Sequence, residues 1–202
     1  YRETIDVLSL SATPIPRTLQ MSLMGIITNS KNEEYMVKEL SDYFPSQNII
    51  FITDKNIENV RNIKFEILAI DCNIKNIDIL KLIISNAKFI ILNADLTINI
   101  GMLENLDLTI ITYGFNNKAT LTVSSVAENN IIICLQRIIK NIFEQKYEPQ
   151  EFETKVDQNV DIHAVICIQS ILLICKNKHL VLDENWQYLK KITFYVDKSK
   201  KK

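Results

Sequence analysis

The chain has 202 residues, 47% hydrophobic and 23% charged, enough for one substantial core or two small ones. Its 23 Lys and Arg nearly balance 24 Asp and Glu, so at net charge −1 no global field favours nucleic acid or anionic membrane. Only three glycines occur, Gly25, Gly101 and Gly114. No two are spaced for G-x-G-x-x-G or G-x-x-x-x-G-K-[ST], which excludes a standard nucleotide-phosphate loop.

In chain order, Ile5 to Leu10 alternates apolar and polar residues as a strand does, and ends at Ser11-Ala12-Thr13-Pro14. Thr13 followed by Pro14 suits a helix N-cap with proline at the first helical position. Leu19, Leu23 and Met24 form a helical stripe, with Gly25 expected as its C′ terminator. From Ile26 onward, helix candidates alternate with short β-branched strands. Asn32 to Phe44 reads as an amphipathic helix, with Tyr35, Met36, Leu40 and Tyr43 inward, that stops before Pro45. Strands are expected at Ile49–Ile52 and Phe65–Ile70, a helix over Ile77–Asn86, then a strand over Phe89–Leu92. A short helix near Met102 and Leu103 leads to a strand over Leu108–Thr112. Continuous apolar strands separated by helices imply a parallel sheet covered on both faces.

After Gly114 the pattern changes. Lys118 to Val126 alternates, and Ile131–Ile139 and Phe152–Val156 follow with turn-like residues between them. These segments read as an antiparallel meander attached to the parallel sheet. Helices over Asp161–Cys175 and Asp183–Lys191 and a strand over Ile192–Val196 complete the chain. The expected fold class is therefore α/β: a mostly parallel sheet with flanking helices, then an antiparallel meander and two C-terminal helices.

Few features outside this pattern point to chemistry. Cys72, Cys134, Cys167 and Cys175 have no C-x-x-C spacing and lie in apolar surroundings, as buried reduced thiols do. His163 and Cys167 share a helix face, but a fourth ligand and a carboxylate cluster for a metal are lacking. No apolar run reaches the ~18 residues of a membrane span, and nothing resembles a signal peptide, so no membrane partner and a cytoplasmic location are expected. The chain opens on Tyr1, which suggests a true start upstream.

Two family resemblances divide the chain into residues 1–26 and 27–202. Ile5-Asp6-Val7-Leu8-Ser9-Leu10-Ser11-Ala12-Thr13-Pro14-Ile15-Pro16-Arg17-Thr18-Leu19-Gln20-Met21-Ser22-Leu23-Met24-Gly25 closely resembles helicase motif III of the transcription-repair coupling factors. That resemblance implies that Ser11, Ala12, Thr13 and Arg17 couple ATP hydrolysis to movement along DNA. Its partners would be DNA and RNA polymerase. The chain has no phosphate loop, no D-E-x-[HQ] segment and no Arg-rich final motif, so as a DNA-repair fragment it would be inactive alone.

Residues 27–202 resemble a degenerate Mur ligase, an ATP-dependent amino-acid ligase, over its central domain. Leu92-Asn93-Ala94-Asp95 is similar to the family's N-x-D-D strand end, and Ile111-Thr112-Tyr113-Gly114-Phe115 to its [IV]-T-Y-G-F strand end. Ala119-Thr120-Leu121-Thr122-Val123-Ser124 follows where the family begins a meander. Asp161-Ile162-His163-Ala164-Val165-Ile166-Cys167 sits where it has G-x-H-N-x-x-N on a helix. The resemblance implies a crevice bearing Asp95, Tyr113, Gly114, Asn116 and His163 as ligand-binding candidates. Asp95 could equally cap a following helix, Gly114 could simply turn the chain, and a lone His163 could be structural. With Ala164 and Cys167 in place of the asparagines and no G-T-x-G-K-[ST] loop, the resemblance implies lost ATP-dependent ligation and no catalytic residue. ATP and Mg would enter only through a non-standard site. The expected role is binding of a small ligand or a protein partner.

Overall fold

The apolar runs become strands because neighbouring runs can bury both faces at once. The computed structural model describes residues 23–98, 103, 106, 108–157, 159–175 and 193–194. These form β1 (Met24–Ile27), α1 (Ser30–Ser41), β2 (Ile49–Ile52), β3 (Phe65–Ile70), α2 (Ile77–Ser85), β4 (Ala87–Asn93) and β5 (Thr109–Tyr113). The second half supplies β6 (Leu121–Val126), β7 (Asn130–Leu135), β8 (Ile139–Lys140), β9 (Lys146–Tyr147), β10 (Gln150–Lys155), α3 (Ile162–Cys175) and β11 (Thr193–Phe194). Short 3-10 turns occupy Ser46–Asn48 and Ile57–Val60.

Nine strands form one sheet in the order β11-β10-β7-β6-β5-β4-β3-β1-β2. From β2 to β6 the neighbours run parallel, and β6, β7, β10 and β11 pair antiparallel. This is the α/β class read from the sequence. The junction between the two parts is slight: β5 and β6 share the single pair Tyr113↔Leu121. The meander therefore continues beyond the carboxyl edge of the parallel strands rather than lying flush beside them.

The strand period of two sorts side chains onto opposite faces. Met24, Ile26, Ile67, Ala69, Ile91, Ile111 and Tyr113 face one side, where Met36 and Leu40 of α1 and the buried length of α3 cover them. Ile27, Ile52, Leu68, Ile70, Ile90 and Leu92 face the other, under Leu80, Ile83 and Ile84 of α2 and the turn at Ile57 and Val60. α1 begins where Asn29 accepts hydrogen bonds from the amides of Lys31 and Asn32, and its apolar face buries Met36 and Leu40 completely. Truncating either side chain to Ala would cost about 2–5 kcal/mol through lost burial and the cavity left behind.

Several expectations shift. Met24 and Gly25 belong to β1, not to the end of a helix. β1 lies between β2 and β3, and sheet pairing on both sides outweighs the helical stripe. Gly25 serves close packing: a Cβ there would stand 2.9 Å from Leu68 Cδ1 and 3.0 Å from Phe65 Cε1. The run Ile131–Ile139 is split, since β7 ends at Leu135 and Ile139 pairs with Tyr147 in a separate two-stranded ribbon. Of the four cysteines only Cys167 is fully buried; Cys72, Cys134 and Cys175 are half-buried, and all four are free thiols. Residues 5–22 and the helix expected over Asp183–Lys191 lie outside the described residues, as does most of the segment around Met102.

Candidate functional site

In an open α/β sheet ligands bind at the carboxyl ends of the strands, where the strand order reverses. Here the order β2-β1-β3-β4 reverses between β1 and β3. The residues that leave those two strands are polar: Thr28 follows Ile27, and Asp71 follows Ile70. Asp71 is only 5% exposed and accepts three hydrogen bonds. Thr28 Oγ1 donates to Oδ2 at 3.1 Å, Asn32 Nδ2 to the same oxygen at 3.1 Å, and the Tyr113 hydroxyl to Oδ1 at 2.7 Å. Asn32 spends its second amide hydrogen on Asp161 Oδ2 at 2.9 Å. One buried side chain of α1 thus bridges the end of β3 and the start of α3.

Asp161 is the cap of α3. Its Oδ1 accepts from the His163 amide at 3.0 Å, and its carbonyl accepts from the Val165 amide at 3.2 Å. Burial pushes its pKa up, but the Asn32 amide and the His163 backbone and ring hold it below the ordinary carboxylate range. Tyr113 is fully buried, and burial with the charge of Asp71 and the Cys167 thiol pushes its hydroxyl far above the usual value. Burial raises Cys167 likewise, and the Asp71 charge adds to the effect.

The outer rim is built around Asp95. Its Oδ2 accepts from the Phe115 amide at 2.6 Å and its Oδ1 from the Asn116 amide at 3.1 Å. Its Oδ2 also lies 3.0 Å from His163 Nε2. Burial pushes the Asp95 pKa up, but the Phe115 amide, His163 and the Asn116 amide bring it below the usual range. Gly114 has φ +141°, and a Cβ there would stand 2.5 Å from Asp95 Oδ2. The glycine lets the chain turn and lets the carboxylate seat against backbone. The Phe115 ring, half-exposed, meets the His163 ring edge to face at 4.9 Å between centroids.

Four of the five ligand-site candidates therefore meet at this rim: Asp95, Gly114, His163 and, through its backbone amide, Asn116. Tyr113 belongs to the buried network beneath them. Asp95 lies in a turn at residues 94–95 with no helix over 96–98, and its oxygens accept from the amides of Phe115 and Asn116. The helicase-like Ser11, Ala12, Thr13 and Arg17 lie outside the described residues. Thr28, Asn32 and Asp71 were not picked out from the sequence; a polar residue directly after a buried parallel strand was the signal that could have found Thr28 and Asp71, and Asn32, inside α1, carried none.

The arrangement is acidic and internally satisfied. Among the described residues no Lys or Arg forms an ion pair with Asp71, Asp95 or Asp161. No buried side-chain nitrogen or oxygen among them lacks a hydrogen-bond partner, and no cluster of three or more His, Cys, Asp or Glu could hold a metal. All three described α-helices carry their own side-chain caps, Asn29, Asn76 and Asp161. No helix among the described residues is long and apolar enough to cross a membrane. Fold and site together define an open α/β sheet with a cluster of hydrogen-bonded carboxylates, Asp71, Asp95 and Asp161, beyond the carboxyl ends of its parallel strands. No protein-family model matches the chain, and no curated protein matches it.

Proposed function

We propose that this domain binds a small ligand or a protein segment at the Asp95–Phe115–His163 rim and does not carry out ATP-dependent ligation. On this reading it is a Mur-ligase-like domain from which the nucleotide-phosphate site has gone. The observation that carries the reading is the turn after β1, where an open α/β sheet ordinarily holds phosphate on glycine-rich backbone. Here that turn is Thr28 and Asn29. Asn29 Oδ1 occupies the amides of Lys31 and Asn32 at 3.0 and 2.9 Å, and Thr28 and Asn32 are committed to Asp71. A phosphate entering there would displace a helix cap and approach a buried carboxylate that has no cation beside it among the described residues.

The rim offers a different chemistry. A half-exposed aromatic ring lies beside an imidazole and two carboxylates, and each of the two rim carboxylates keeps part of its surface open. Such a surface accepts hydrogen bonds and apolar contact, and repels anions. Titration calorimetry of the full chain with Mg·ATP tests the loss of the nucleotide site. No heat of binding is expected up to millimolar nucleotide, and saturable micromolar binding would overturn the reading.

A further inference from the structure

Among the described residues β2 ends the parallel side of the sheet, with β1 as its strand neighbour. The Thr28 amide donates to the Ile52 carbonyl at 3.3 Å, so Ile50 and Ile52 turn their backbone groups towards β1. Ile49, Phe51 and Thr53 turn theirs outward. An outward row of amides and carbonyls is a template on which another strand can pair. The segment Asn48-Ile49-Ile50-Phe51-Ile52-Thr53 has no charge, proline or glycine, the composition with which strands stack on copies of themselves. Ile49, Ile50 and Phe51 are also only partly buried. The usual guards of an edge, a charge, a proline or a bulge, are missing from β2. We propose that β2 is a latent pairing edge for a second copy of this chain, held shut by the side chain of Asn56.

Asn56 Oδ1 accepts from the Thr53 amide at 2.7 Å, and its Nδ2 donates to the Phe51 carbonyl at 2.8 Å. One primary amide thereby supplies the donor and the acceptor that a residue of an added strand would supply. The turn after β2 keeps it there. The amides of Asn56 and Ile57 return to the Thr53 carbonyl at 3.2 and 3.0 Å, and Ile57 and Val60 anchor the turn in the core. At the other end of the strand the Ile49 amide is claimed by the Ser46 carbonyl. The Ile49 carbonyl and the Phe51 amide are left, on either side of Ile50, and match a single residue of an incoming strand. That is too little to hold one. Without the Asn56 amide the outward row would run unbroken from the Ile49 carbonyl to the Thr53 amide. Two such rows, antiparallel about a two-fold axis, would pair the same groups on both copies. β1 and β3 separate this edge from β4 and the rim, so the inference does not rest on the binding reading above.

The test uses the full chain. In the wild type, amide hydrogen exchange corrected for intrinsic rates should show Thr53 at least about fivefold better protected than Phe51. Sedimentation equilibrium then compares wild type with N56A over roughly a hundredfold range of concentration. The average mass of N56A should rise with concentration to roughly twice that of wild type, and its Phe51 amide should become protected as it does. Adding I49K to N56A sets like charges on the two edges and should return the mass to the wild-type value. A wild-type Phe51 amide as well protected as Thr53, an N56A mass equal to wild type throughout, or association that I49K does not reverse would overturn the proposal. If N56A did not fold, the exchange of Phe51 and Thr53 in the wild type would decide alone.

Discussion

Gly114→Ala is a substitution that the site should tolerate poorly. The residue has φ +141°, a conformation that side chains other than glycine rarely adopt. Holding alanine there costs about 1–3 kcal/mol of backbone strain. The added methyl would also stand 2.5 Å from Asp95 Oδ2 and 2.9 Å from its Cγ. That carboxylate cannot simply swing aside, because the Phe115 and Asn116 amides and His163 hold it. Pushing it off those donors costs about 1.5–3 kcal/mol more. The sum, about 2.5–6 kcal/mol, corresponds to a fall in Tm on the order of 10 °C for a chain of this size. Thermal unfolding followed by circular dichroism measures it. The mechanism separates further in a double-mutant cycle with Asp95→Ala, which removes the clashing atoms and leaves the strained φ. The double mutant should be less destabilised than the two singles added together, by about 1–3 kcal/mol. A Gly114→Ala protein within 2 °C of wild type, or strict additivity with Asp95→Ala, would refute this account of the turn.

Three further outcomes follow from the same network. Asn32→Asp replaces the bridging donor with a third carboxylate facing Asp71 and Asp161. Urea unfolding should show a loss of about 3–5 kcal/mol at pH 7, shrinking as the pH is lowered and one proton becomes shared; an equal loss at both pH values would contradict it. In the wild type, Asp95 and Asp161 titrate below their unfolded range. Their contribution is therefore complete above about pH 4 and lost as pH falls through the depressed values. Stability measured from pH 7 down to 2.5 should fall more steeply than in D95N/D161N, and parallel curves would count against the assignment. Burial, with the charges of Asp71 and Asp54, pushes the Cys72 thiol up to about 11, and burial pushes Cys175 up to about 12. Alkylation of both at pH 7.5 should be at least about tenfold slower in the folded chain than in urea, read by mass spectrometry. Labelling of Cys72 at the unfolded rate would show the thiol to be open.

The order of α-helices and parallel strands from Asn32 to Thr112, and the change to antiparallel pairing after Gly114, were legible in the sequence. Buried parallel strands are short continuous apolar runs, and helices between them carry a 3.6-residue stripe, so local pattern suffices. Asp95 and Gly114 were legible as the ends of apolar strands and His163 as a residue at a helix start, but no local pattern brought the three together. Composition alone dictated one point of chemistry: with three glycines and no usable spacing, the backbone has no standard loop in which to cradle a phosphate.

Tertiary structure decided the rest, because it depends on partners far apart in the chain. Gly25 lies at the end of a helical stripe, yet two flanking strands draw it into β1, and this packing outweighs local preference. Asp95 carries a cap-like pattern, but its acceptors are claimed by amides 20 and 21 residues away. Thr28 and Asn32, polar residues at an ordinary helix start, become the donors to a carboxylate 43 and 39 positions on. A buried charge has to find its donors wherever the fold brings them, and no local pattern records where that will be.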